Sequence, residues 1–231
     1  MPVPAPAIDD LGFFQQKTKL NRRVKPMFLS SLTLRNAITN IADNGSGAFR
    51  ITTDGAHNLS TNDYVIIDGA NGTMSMNGFW KVTSVTSSTF DLQGSSSTGT
   101  WTSGGTVNDG ESYAIDMDSA PSSVLVIADV KDMSAGGAIN DAKPIALKVT
   151  VNSAVEIARS VATYKRMFQS LTIQNNDAST MSGDIVLRTT KAQGNIVEKL
   201  IPFALLTEYK LVVGIDGLQW MFKETGLPYV S

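Results

Sequence analysis

The chain has 231 residues, a net charge of −2, one histidine and no cysteine. That length buries a core in one large domain or two small ones, and the missing cysteines exclude disulfides, thiolate-bound zinc and a thiol nucleophile. The single His57 excludes a multi-histidine metal site and is the only residue a Ser-His-Asp triad could use.

Residues 1–26 read as an extended N-terminal arm. Pro2, Pro4 and Pro6 favour polyproline-like backbone and remove donors. Leu11-Gly12-Phe13-Phe14 is an apolar patch without a nearby partner in sequence, and Lys17, Lys19, Arg22, Arg23 and Lys25 follow it. Phe13 and Phe14 are candidates for docking into an adjacent subunit. The basic run 17–25 reads either as a solvated linker or as a contact with nucleic acid or an acidic neighbour. The first residues lack the pattern of a secretory signal, and no apolar run approaches the roughly 18–20 residues that span a bilayer.

Met27–Leu34 reads as the first strand, and Asn36–Gly47 as turn-rich, with Asn40, Asp43, Asn44, Gly45 and Gly47. Residues 48–107 have short strands and closely spaced turn signals, the mark of a small barrel or sandwich. Strands are expected at Phe49–Thr52, Tyr64–Ile67, Phe79–Val85 and Thr89–Leu92. Trp80 and Val82 fall on one face of the third, with Phe79, Lys81, Thr83 and Val85 on the other. Asn77-Gly78 and Gly104-Gly105 read as turns, because positive φ is cheap there. Leu59, Val65, Ile67, Trp80, Val82, Phe90 and Leu92 suffice for a compact core, and His57 is expected to cap a turn or pack on the rim.

Residues 111–231 form a second β-rich region. Strands are expected at Ser123–Val130, Pro144–Asn152, Phe168–Ile173, Asp184–Thr189, Ile196–Pro202, Tyr209–Ile215 and Leu218–Phe222. The second rests on the unbroken alternation Ile145, Leu147, Val149, Val151. Asp177–Gly183 and Ala192–Asn195 are turns. Val155–Arg166 reads as a short helix, as a strand from Ser160, or as a mixture. Strands at this spacing, without long helical patterns between them, imply antiparallel packing. The expected fold is mainly β: an antiparallel β-sandwich formed by 27–47 and 108–231, an inserted small β-barrel-like module at 48–107, and the arm 1–26.

One pattern goes further. It runs His57-Asn58-Leu59, Asp63-Tyr64-Val65-Ile66-Ile67-Asp68-Gly69, Met76-Asn77-Gly78-Phe79-Trp80-Lys81-Val82, Thr89-Phe90-Asp91-Leu92, then Thr98–Val107 around Trp101. This resembles a small β-module that recurs in tailed-bacteriophage virion proteins and is often likened to a domain of ubiquitin-activating enzymes. Residues 168–222, from Phe168–Asn175 through Gly183–Arg188 to Tyr209–Val213, are similar in general pattern to small sandwich domains of phage neck and tail proteins. The resemblance implies a virion structural protein of neck or tail type, assembled in the bacterial cytoplasm, with copies of itself, side by side in a ring or tube, and other virion proteins as partners and no membrane partner.

Motifs for catalysis are missing from the sequence. There is no phosphate-binding GxxxxGK[ST], no GxGxxG and no GxSxG elbow. Asp63 with Asp68, and Asp116 with Asp118, read as exposed turn carboxylates or, alternatively, as calcium-binding or acid/base groups, though a full calcium loop is missing, and Asp109-Gly110-Glu111 reads as a connector. No cofactor is implied and an enzyme is not expected. A pI of 5.4 gives no global footprint for nucleic acid, leaving only the basic arm. Charged residues make up 17%, below the usual quarter, which suits surfaces that neighbours will cover. The alternative is a capsid-decoration or tail-tip protein that binds host glycan on aromatic platforms. Trp80 reads as core, Trp220 as core or interface, and Trp101 as either a rim contact or a lid on the barrel. The interface candidates are therefore Phe13, Phe14, Arg22, Arg23, Trp101, Trp220 and Phe222, with Met221 beside them.

Overall fold

The computed structural model describes residues 27–73, 76–134, 136–141, 144–162, 164–214 and 219–223. The arm 1–26, with Phe13, Phe14, Arg22 and Arg23, lies outside them. Among the described residues every regular element is a strand except one 3₁₀ turn, and every pairing is antiparallel.

The chain enters through a short strand, β1 (Phe28–Leu29), and then builds six strands: β2 (Thr33–Asp43), β3 (Phe49–Thr53), β4 (Tyr64–Gly72), β5 (Gly78–Thr83), β6 (Thr89–Leu92) and β7 (Trp101–Asp109). These close into a barrel in the order β2-β3-β6-β5-β4-β7. Closure removes the open edges that six short strands would otherwise expose. Ile38, Ile41, Phe49, Ile51, Val65, Ile67, Val82, Phe90, Leu92 and Val107 fill it.

Ten strands and the 3₁₀ turn follow: β8 (Glu111–Met117), β9 (Val124–Ser134), β10 (Ile139–Asp141), β11 (Ile145–Val149), β12 (Val155–Arg159), β13 (Tyr164–Asn175), β14 (Met181–Thr189), the turn Lys191–Gln193, β15 (Val197–Leu205), β16 (Tyr209–Gly214) and β17 (Gln219–Lys223). A seven-stranded sheet runs β10-β9-β13-β16-β17, with β11 also on β9 and β1 also on β13; a four-stranded sheet runs β12-β8-β14-β15. The sheets share one core. Val124, Val126, Ala128, Val130, Phe168, Leu171, Ile173, Leu211 and Val213 come from the first, and Tyr113, Ile115, Met117, Ile185, Ile201, Phe203 and Leu205 from the second. Tyr113 and Phe168 meet edge-to-face at 4.9 Å across it. The fold is thus an antiparallel β-sandwich carrying an inserted closed barrel.

Several expectations shift. The barrel spans Thr33–Asp109, so most of 27–47 belongs to it rather than to the sandwich. The expected turn region 36–47 is largely strand β2. Two register shifts in β2, at Leu34/Asn36 and Ile38/Asn40, set buried Ile38 and Ile41 three residues apart, which hides the two-residue period. Gly104-Gly105 is no turn. It lies within β7 against β4, where added Cβ atoms would come within 3.0 Å of the Gly69 carbonyl and of Ala70 Cβ. Among the described residues of Val155–Arg166 there is no helix: β12 ends at Arg159 and β13 begins at Tyr164. Val151 falls beyond β11 and is exposed, so the alternation there overran the strand.

Candidate functional site: the barrel–sandwich junction

The two units meet where β7 runs through Gly110 into β8. A Cβ on Gly110 would sit 3.0 Å from Ile66 of the barrel, from Ser160 of the sandwich and from Leu32. Glycine therefore lets the two bodies close on bare backbone. Ile66 is fully buried here although its neighbours Val65 and Ile67 point into the barrel, which is why β4 is apolar on both faces.

Around this contact lies a polar network. Arg35 occupies the register shift of β2 and so projects toward Asp109, with Nη2 donating to both carboxylate oxygens at 2.9 and 2.6 Å and Nη1 donating to the His57 carbonyl at 2.9 Å. Asp109 also accepts the Thr190 hydroxyl, from the β14–β15 connection, at 2.9 Å. Just beyond, Lys191 donates to the Asn58 carbonyl at 2.6 Å and pairs with Asp63 at 2.9 Å. Asn195 completes the clasp: its Nδ2 donates to Asp63 at 2.7 Å and its Oδ1 accepts the Tyr64 N–H at 3.0 Å. Burial works against ionised Asp63, but hydrogen bonds from Lys191, Ser60 and Asn195 outweigh it and hold the carboxyl below its ordinary range.

A second contact joins the outside of β4 and β5 to the four-stranded sheet. The Phe79 ring stacks on Tyr64 at 5.2 Å and lies under the Arg188 guanidinium at 4.5 Å. The Phe79 N–H donates to Glu156 at 3.1 Å, and Arg159 bridges Glu156 at 2.8 Å and Asp68 at 3.5 Å. Arg188 donates to Ser112 at 3.0 Å. Burial pulls the Arg188 guanidinium below its ordinary value while the Glu156 charge supports it.

His57 is buried. Its Nδ1 accepts the Leu59 N–H at 3.1 Å and its ring meets Phe90 edge-on at 5.1 Å. The Nδ1 bond caps the turn at 57–59, one of the two expected roles, and the ring is buried rather than exposed on the rim. The Trp101 side chain is partly buried against the barrel core and donates Nε1 to the Gly104 carbonyl at 3.0 Å. Trp80 likewise packs on that core and donates to the Met76 carbonyl at 2.6 Å. Asn77 does not make the expected turn; its amide donates to the Ala70 carbonyl and accepts the Ala70 N–H, both at 2.9 Å. Trp220 and Phe222 fall in β17, their backbone paired with Val212 and Lys210.

Chemically this arrangement clamps. Asp63 and Asp109 each take hydrogen bonds from several groups of the same chain. Among the described residues no group of three or more His, Asp or Glu side chains is placed to hold a metal ion. Reading the sequence missed Arg35, Asp109, Thr190, Lys191 and Asn195 as a unit. Asp109-Gly110 looked like a connector and Ala192–Asn195 like a turn, and only positive φ at Asn195 marks the latter as special. Comparison with protein-family models, curated proteins and solved structures gives no match for this chain.

Proposed function

We propose that this chain is a structural, non-enzymatic subunit of a tailed-phage virion, of neck or tail type, that associates with copies of itself and with other virion proteins. The observation that carries this reading is the fate of the motif that resembles the phage module. Its apolar residues Leu59, Val65, Ile67, Val82, Phe90 and Leu92 are buried in one closed barrel, and its histidine is buried with Nδ1 occupied. A motif whose side chains go into packing suits a scaffold. The junction supports the same reading, because charged clamps fix the barrel's orientation on the sandwich, and a rigid shape is what repeated assembly needs. Phe13 and Phe14 of the arm add contacts to a neighbour. A fully buried aromatic contributes roughly 1.5–3 kcal/mol, and repetition around an assembly multiplies its effect.

Glycan recognition draws less support, since the indoles of Trp80 and Trp101 are both engaged with the barrel. The test is compositional. Particles of a phage that encodes this chain, washed and separated by density, carry it at fixed stoichiometry by mass spectrometry. Its absence from such particles overturns the proposal.

A further inference from the structure

The outer face of the seven-stranded sheet has a composition the assembly reading does not explain by itself. Strand register sets its rows. Ala146, Ile127, Thr172 and Val212 are successive cross-strand neighbours, and the adjacent row is Lys148, Leu125, Gln174 and Lys210. Toward the β9–β10 end, the same face carries Lys131, Met167 and Phe28, then Ile139, Met133 and Lys165. Ile127, Phe28 and Ile139 are exposed by 36%, 40% and 56%. Four lysines stand among these apolar residues, against Asp129. Five strands span about 24 Å and the eleven residues of β9 about 36 Å, on the order of 800 Å², which is one partner's share of a standard interface.

The opposite side of the sandwich has the complementary character. On the part of the four-stranded sheet not covered by the barrel, Asp116 and Asp184 are directly paired across β8 and β14. Asp118 accepts the Ser182 hydroxyl at 2.6 Å, and Lys199 bonds to Asp184. Lys199 thus pairs with Asp184 while Asp116 and Asp118 add their charge nearby, and exposed Pro202 and Ala204 lie alongside as neighbours of Asp184 and Ser182.

We propose that the lysine-bearing outer face of the seven-stranded sheet docks on the Asp116–Asp118 face of a second copy of this chain. This deepens, and rests on, the assembly reading: it names the two surfaces that meet. Because they lie on opposite sides of one sandwich, the contact is head-to-tail, and each copy keeps one face free for the next. Such a contact repeats into a ring if its rotation closes and into a filament if it does not.

The experiment is a charge exchange on the full chain, read by sedimentation velocity. Lys148→Glu with Lys210→Glu sets acid against acid, and Asp116→Lys with Asp118→Lys sets base against base. Each variant alone associates at least tenfold more weakly than the unmodified chain, while an equimolar mixture recovers association to within about twofold, since both contacts in an alternating assembly are then complementary. Added salt weakens the unmodified contact. Lys148→Gln with Lys210→Gln, and Asp116→Asn with Asp118→Asn, make the same comparison in milder form if a reversal perturbs the melt. An unmodified chain that stays monomeric, a folded variant that assembles as the unmodified chain does, or a mixture that stays dissociated overturns the contact. Oligomers insensitive to both exchanges leave the assembly reading standing, whereas absence from particles removes that reading and leaves the solution contact to be judged on its own.

Discussion

Thr190 and Asp109 are 81 residues apart in sequence, and the hydroxyl of one donates to the carboxylate of the other at 2.9 Å while accepting the Gly110 N–H at 3.0 Å. Thr190 is fully buried and Asp109 nearly so. One side chain of the sandwich therefore holds the last residue of the barrel and the glycine that follows it.

Replacing that hydroxyl tests the clasp. Thr190→Val keeps the shape and leaves a buried N–H without its partner, so a loss of about 1–3 kcal/mol is expected, measured by urea unfolding. A change within error means that water or Gln193 takes over the role.

The Arg35–Asp109 pair is mostly buried, with side-chain exposures of 16% and 8%. Asp109→Ala strands the guanidinium and costs about 3–5 kcal/mol. The double variant with Arg35→Met is expected to lose less than the two single losses added together, because the second change removes the stranded charge. Strict additivity in the thermodynamic cycle would deny the coupling.

Burial pushes the His57 imidazole below its usual 6.5. The Thr89 carbonyl opposes this shift, and the positive charges of Arg35 and Lys191 add to it. The folded state thus binds the proton less readily than the unfolded chain. This contribution is complete above about pH 6.5 and is lost as pH falls. The melting temperature should decline as pH falls below about 6.5, and His57→Asn should flatten that limb. Asp63 and Asp91 are held below their usual 3.8, so the carboxylate-driven loss begins only as pH falls below that value and persists in the variant. An unchanged slope in His57→Asn would assign the upper limb elsewhere.

Gly183 sits in β14 opposite Met117, where a Cβ would come within 2.4 Å of the Asp116 carbonyl. Gly183→Ala must push two central strands apart, at a cost of about 1–3 kcal/mol or more. Gly45→Ala is the control. Its φ of +86° strains the variant locally, but nothing lies within 4 Å. The expected order of chemical-denaturation midpoints is therefore unmodified, Gly45→Ala, Gly183→Ala.

Trp101 packs against the barrel core and bonds to Gly104 of its own strand β7. Trp101→Ala should lower thermal stability by about 1–3 kcal/mol and leave association unchanged in sedimentation. Weakened association with normal stability would restore the rim-contact reading.

Some of this was legible in the sequence. Short β-branched and aromatic runs between turn residues mark β3, β6 and β16, and the alternation at Ile145, Leu147 and Val149 marks β11, because a side chain's face in a strand is a local property with a period of two. The barrel core residues Val65, Ile67, Val82, Phe90 and Leu92 follow from that periodicity alone.

Only the tertiary structure decided where β2 belongs, since irregular register breaks the period at Arg35 and near Thr39 and the buried isoleucines no longer alternate. It also decided the junction. Asp63 meets Asn195 across 132 positions of sequence, and Asp109 meets Thr190 across 81. Isolated polar residues carry no periodic signature, and what each bonds to is set by which surfaces the folded sheets bring together. Strand patterning and composition thus determined a β protein with few charged residues, while strand pairing decided which of those charges became a clamp and which were left facing outward.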